Sequence, residues 1–173
     1  MAESRLDQSV IELAAAYQVK ILSPNATHGY RVLNGMLTYK SRGGFQRDLF
    51  GGKFAVRNTI SLLAEPFLEG SESHYFGVAF RPSLEWWPVS EKYYLFFSPG
   101  GGFGVVDSRG VEGGQGQDLT LNILMDAGVG FFLNESTALK FGIQYQHLSN
   151  GGMTDPNPGL NMLGPEIGVS VFF

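Results

Sequence analysis

Three patterns predict an all-β fold, an eight-stranded antiparallel up-and-down transmembrane β-barrel of the bacterial outer membrane. Eight runs alternate large apolar residues with small or polar ones, the period-two signature of strands with one apolar face. Short turns and longer glycine-rich loops take turns between the runs, as in barrels whose ends face different compartments. The chain ends on Phe173, and Val171, Val169 and Ile167 share its parity, the closing pattern of outer-membrane barrels.

The runs follow in order. Val10–Ile21 sets Ile11, Leu13, Ala15, Tyr17 and Val19 against Glu12, Gln18 and Lys20. Tyr30–Lys40 is the second, and Phe54–Ala64 sets Phe54, Val56, Ile60 and Leu62 against Arg57, Thr59 and Ser61. Tyr75–Trp87 opposes Phe76, Val78, Phe80, Leu84 and Trp86 to Tyr75, Gly77, Ala79, Arg81 and Glu85. Tyr94–Val106 alternates Phe with Ser and Gly, and Leu119–Phe131 is the most regular of all. Ala138–Ser149 and Asn161–Phe173 complete the set. The uniformly large apolar face suits lipid, and the small-plus-charged face suits a narrow packed lumen. Buried charges must pair, and the candidates are Glu12, Arg57, Arg81, Glu85, Asp126 and Lys140. Trp86, Trp87, Tyr93 and Tyr94 flank a short turn and are expected to form half of an interfacial aromatic girdle.

Composition agrees. The chain has 173 residues, 43% apolar and only 16% charged, against the usual quarter for soluble domains. A mean hydropathy of −0.01 argues against a helical membrane protein but not against a barrel, whose strands mix both classes. With no cysteine there are no disulfides, thiol nucleophiles or thiolate metal sites. A net charge of −4 without a basic cluster argues against nucleic acid. Residues 1–173 are expected to form a single barrel domain, with residues 1–8 as a periplasmic N-terminal segment. That segment lacks the apolar stretch of a signal peptide, so an outer-membrane location implies a processed chain with an added Met.

The chemistry-bearing residues gather at the top of the seventh run. His147 and Ser149 extend its apolar face, Leu139, Phe141, Ile143 and Tyr145, so the pair looks out at lipid. Nine residues above Ala138, His147 stands about 23 Å up a tilted strand, near the upper edge of an apolar band about 25 Å tall. A serine hydroxyl activated there by an imidazole is placed to attack an ester of a membrane lipid. The antiparallel eighth run presents Asn161 on the same face and end, as the group that orients the imidazole. Glu166 is the nearest carboxylate, but its parity is inward and it lies lower. Asn150, Gly151 and Gly152 follow the serine, and their N–H groups are candidates for an oxyanion site.

Other candidates are weaker. His28 and His74 fall in loops and build no metal site, and prolines beside Asp155 and Asn157 argue for a turn rather than a calcium loop. Gly100-Gly101-Gly102 lies mid-strand with no following helix, unlike a phosphate loop.

The segment from His147 through Ser149-Asn150, Gly152, Pro156-Asn157 and Gly159 to Asn161 resembles the motif of the PagL-type lipid A 3-O-deacylases, a family of outer-membrane acyl hydrolases. The resemblance implies Ser149 as nucleophile, His147 as general base, and Asn150, Gly151 and Gly152 as the oxyanion region. The family's acid position falls on Asn161, where the founding pattern has Glu. It also implies hydrolysis of the ester-linked 3-hydroxyacyl chain of lipid A in lipopolysaccharide, with no cofactor, and Lys20 and Arg31 as cations near the lipid A phosphates. Two alternatives predict otherwise. One is a non-enzymatic small barrel of OmpA or OmpX type with an adhesion or membrane-stabilising role. The other is a soluble ligand-binding barrel with the apolar faces turned inward.

Overall fold

The computed structural model describes residues 4–26 and 28–173; of the expected N-terminal segment, residues 1–3 lie outside the described residues. The strands are β1 (Val10–Ile21), β2 (Arg31–Lys40), β3 (Phe45–Leu49), β4 (Gly52–Glu69), β5 (His74–Pro88), β6 (Tyr93–Val106), β7 (Leu119–Phe132), β8 (Thr137–Ser149) and β9 (Leu160–Phe172). Each pairs antiparallel with its neighbours, β1 with β9 and β2 with β4 closing the ring, so eight strands form a barrel. The ninth, β3, pairs only with β4 and projects from the end that carries both chain termini. The sequence pattern missed β3 because all five of its residues are exposed, which leaves no alternation to read.

The apolar face is outside. Leu13, Leu62, Ile143 and Ile167 are 55–65% exposed in a continuous outward band. A soluble barrel with its apolar residues inside is therefore ruled out, because this band has to be covered by lipid.

Polar residues fill the lumen. Lys140 Nζ donates to Glu12 Oε1 (2.8 Å), Asp126 Oδ2 (2.6 Å) and Glu166 Oε1 (2.9 Å). Lys40 meets the other Glu12 oxygen at 2.9 Å, and Arg81 pairs with Asp126. Arg57 binds Glu85 (2.9 Å) and donates to the backbone carbonyls of Arg5, Gln8 and Ser41, tying the N-terminal segment to the barrel. All six anticipated charges thus pair, joined by Lys40 and Glu166. Each costly desolvation is offset by an opposite charge within hydrogen-bonding reach.

The expected girdle needs correction. Trp86 and Tyr93 stand on the outward parity, but Trp87 and Tyr94 are 2% and 1% exposed and turn inward. Trp87 stacks on Tyr94 with centroids 4.8 Å apart, and Phe132 and Phe172 close the cluster. Adjacent strand residues face opposite sides, so a Trp-Trp pair and a Tyr-Tyr pair each supply one ring to lipid and one to the plug. Leu6, on a one-turn 3-10 segment, packs into the same plug.

Candidate active site

The register of β8 against β9 sets His147 opposite Asn161, both on the outward face at the loop end. His147 Nδ1 lies 2.8 Å from Asn161 Oδ1. The amide is oriented by its other contacts: Nδ2 donates to Leu22 O (2.8 Å), and Oδ1 also accepts the Tyr145 hydroxyl (2.7 Å). Asn161 N–H donates to Ser23 Oγ at 2.7 Å, so the β1–β2 loop grips this residue twice. Leu22 holds φ +26, in the sparsely occupied left-handed half of the map. Because Oδ1 only accepts, Nδ1 carries a ring hydrogen, and in a neutral ring the lone pair is therefore on Nε2.

Ser149 is half-buried on the same face, two residues further along β8 and about 7 Å from His147 along the strand. Among the described residues its hydroxyl makes no hydrogen bond with the imidazole. Gly159 has φ +62 and packs against the ring, since a Cβ there would sit 3.4 Å from His147 Cε1.

Asn150 is fully buried and organises the loop after Ser149. Its N–H donates to Asn157 Oδ1 (3.0 Å), its Nδ2 to Gln115 O and Thr154 O (2.6 Å each), and its Oδ1 accepts Gly152 N–H (2.8 Å). The donors of Asn150 and Gly152 are thereby occupied. Gly151 N–H has no partner among the described residues, and Gly151 holds φ +67.

A second buried carboxylate, Glu72, knots the loops behind this one. Its Oε1 accepts Ser108 Oγ–H (2.8 Å) and Gln115 N–H (3.1 Å), and its Oε2 accepts Tyr30 O–H (2.6 Å). Burial and the bond to Glu72 push the Tyr30 hydroxyl up to about 12. Nearby, burial would raise Asp107, but hydrogen bonds from Ser73 and His74 outweigh it and hold the carboxyl below its ordinary range.

Glu166, the alternative orienter, is bound to Lys140 in the lumen. Glu12, Asp126 and Glu166 come close enough to suggest a metal site, but Lys140 Nζ occupies the space between them. Lys20 Nζ donates to the carbonyls of Ala26 (2.7 Å) and His28, and Arg31 pairs with Glu69 at 3.0 Å, so both cations have partners within the chain. His28 meets Ser71 Oγ at 3.0 Å and His74 meets Ser73 Oγ at 2.8 Å. Tyr145 and Ser23 were not anticipated. Tyr145 was traceable, since it lies diagonally across the strand pair from Asn161. Glu72 had no such signal, because loops carry no period.

The family model described as Lipid A 3-O-deacylase (PagL) matches residues 15–170. Among solved structures, the outer membrane enzyme PagL superposes with a TM-score of 0.63 at 14% identity, covering 94% of this chain and 98% of that one. Neisserial surface protein A (NspA) gives 0.57 at 13% identity, with 95% and 97% covered. Ail, the attachment invasion locus protein of Yersinia pestis, gives 0.53 at 14% identity, with 96% and 99% covered. No curated protein matches the chain.

Proposed function

The chain belongs to the PagL family of lipid A 3-O-deacylases, ester hydrolases of the bacterial outer membrane, and from that premise we propose a serine-esterase mechanism for it. The substrate is lipid A within lipopolysaccharide, and the bond cleaved is the ester holding the 3-hydroxyacyl chain at the 3-position. Ser149 Oγ attacks the ester carbonyl while His147 Nε2 takes its proton. The tetrahedral oxyanion forms beside Gly151 N–H, a donor next to Ser149 with no partner among the described residues. His147 then returns the proton to the departing sugar oxygen. Water, deprotonated by the same nitrogen, frees the fatty acid from Ser149.

One observation carries this reading, the 2.8 Å bond from His147 to Asn161 on the lipid-facing rim. It supports Nε2 as the base, because Nδ1 is engaged with Asn161. Asn161 orients the ring through a dipole and adds no charge to stabilise imidazolium, which a carboxylate would supply.

The decisive experiment expresses the chain and weighs lipid A by mass spectrometry. Loss of one 3-hydroxyacyl chain is expected, and Ser149→Ala is expected to abolish it while heat-modifiable gel migration of the folded barrel persists. Full activity in Ser149→Ala removes the mechanism. Unchanged lipid A mass with the unsubstituted chain favours the non-enzymatic small barrel.

A further inference from the structure

The hairpin of β3 and β4 extends the lipid-facing surface beyond the barrel wall. Pairing between β2 and β4 stops at Lys40–Thr59, so residues 52–58 of β4 continue without β2, about 23 Å along the strand. There β3 and β5 flank β4, and cross-strand pairs assign the faces. Phe45–Val56–Leu84, Arg47–Phe54–Trp86 and Leu49–Gly52–Pro88 form three rows on one side. That side shares its parity with outward-facing Ile60 and Leu62 of β4, with Asn58 the one polar residue of β4 between them. The other side carries Gln46, Asp48 and Lys53, and an open cavity of about 470 Å³ at the hairpin's end is lined by Asp48 and Lys53 together with Leu49, Phe50, Trp87 and Glu91. The hairpin is therefore amphipathic in the same sense as the barrel wall.

Its tip is unusual. The two-residue turn is Phe50-Gly51, with Phe50 at φ +51 and 86% exposed. Hairpin turns with positive φ at both positions favour Asn or Gly, and a bulky aromatic there is strained. Strain held at an exposed position points to a role outside the chain. Phe45 packs edge-on to Phe54 with centroids 6.4 Å apart, and Trp86 Nε1 donates to Leu49 O at 3.0 Å, so the aromatic face is rigid. Arg47 stands in the middle of it, in no ion pair among the described residues.

We propose that this hairpin is a phospholipid-binding paddle seated in the periplasmic leaflet, on the opposite side of the membrane from Ser149. Phe45, Leu49, Phe54 and Trp86 lie at the boundary of acyl chains and headgroups, Phe50 inserts, and Arg47 binds a lipid phosphate. Aromatic side chains prefer that depth, and an arginine stem lies along apolar surface while its guanidinium stays with the phosphates. The occupant is lipid because the face shares the parity of the lipid-covered band, interrupted on β4 by Asn58 alone, and its one cation meets a phosphate layer.

The chain has no cysteine, so Phe50→Cys and Asp48→Cys each provide a unique thiol for a nitroxide label. The labelled full-length barrels are folded into vesicles of phosphatidylethanolamine and phosphatidylglycerol, with folding verified by heat-modifiable migration. The expected result is a ratio of oxygen to nickel-chelate accessibility several-fold higher at position 50 than at position 48. Adding Arg47→Gln is expected to lower the ratio at position 50. Equal nickel access at both positions overturns the proposal, and an unchanged ratio in Arg47→Gln overturns its phosphate contact. Label–label broadening at position 50 that vanishes on dilution with unlabelled chain identifies a second copy as the occupant, and also overturns it.

Discussion

β8 and β9 build two polar centres with opposite surroundings. On the inner face Lys140 binds three carboxylates, one of them Glu166 of β9. On the outer face, higher up, His147 meets Asn161 through a single hydrogen bond. The inner centre is deeply buried, so every charge there needs several partners. The outer centre sits at the rim, where few polar groups are tolerated and those present remain available for chemistry. A side chain's parity on the strand thus decides whether it joins the network that fills the lumen or faces what lies outside.

This contrast is most easily broken at Lys140. In Lys140→Ala the carboxylates of Glu12, Asp126 and Glu166 lose their common partner, although Lys40 and Arg81 still reach two of them. A loss of about 3–5 kcal/mol in barrel stability is expected, measured by urea unfolding in lipid vesicles. Deacylation by the fraction that remains folded should persist. A stable but inactive variant would mean that the two centres are not separate.

The outer centre should answer in the opposite way. Asn161→Ala frees the imidazole and is expected to slow deacylation by about a hundredfold with unfolding unchanged. Asn161→Glu restores a charged orienter and should keep or raise the rate. A folded, inactive Asn161→Glu would remove Asn161 from its assigned role. Tyr145→Phe deletes only the second donor to Oδ1, so a smaller loss, about two- to tenfold, is expected in lipid A mass-spectrometric time courses.

Much of this division was readable from alternation alone. Parity put Lys140 and Asp126 on one side of the wall and His147, Ser149 and Asn161 on the other, and the register then set His147 directly across from Asn161. Parity also contained the answer for Trp87 and Tyr94, but grouping them with their neighbours as one girdle overlooked it. Features beyond the reach of a period were missed. β3 is exposed on both faces and pairs with one strand only. Asn150 was assigned a role from its place beside Ser149, yet its partners come from chain folded over it, Gln115 and Thr154 among them. Glu72 gathers groups from separate loops, and only the closed barrel brings those loops together.

That loop knot supplies the mildest test, because it supports the outer centre from behind. Tyr30 donates to Glu72, Glu72 accepts Gln115 N–H, and Gln115 O receives the Asn150 amide next to Ser149. The Tyr30 hydroxyl is raised to about 12 in the folded chain, from an ordinary value of 10.0. Its protonated form is therefore favoured by folding. The stability it contributes is complete below about pH 10 and fades as pH rises through 12. Unfolding midpoints in detergent across that window should fall more steeply for the unsubstituted chain than for Tyr30→Phe, which has no proton to lose. Below pH 10 Tyr30→Phe should lose slightly in stability and in deacylation rate, since Glu72 Oε2 then lacks its donor. If the two chains keep parallel pH profiles, the Tyr30–Glu72 bond does not hold the loops, and the Ser149 loop is positioned by Asn150 without help from behind.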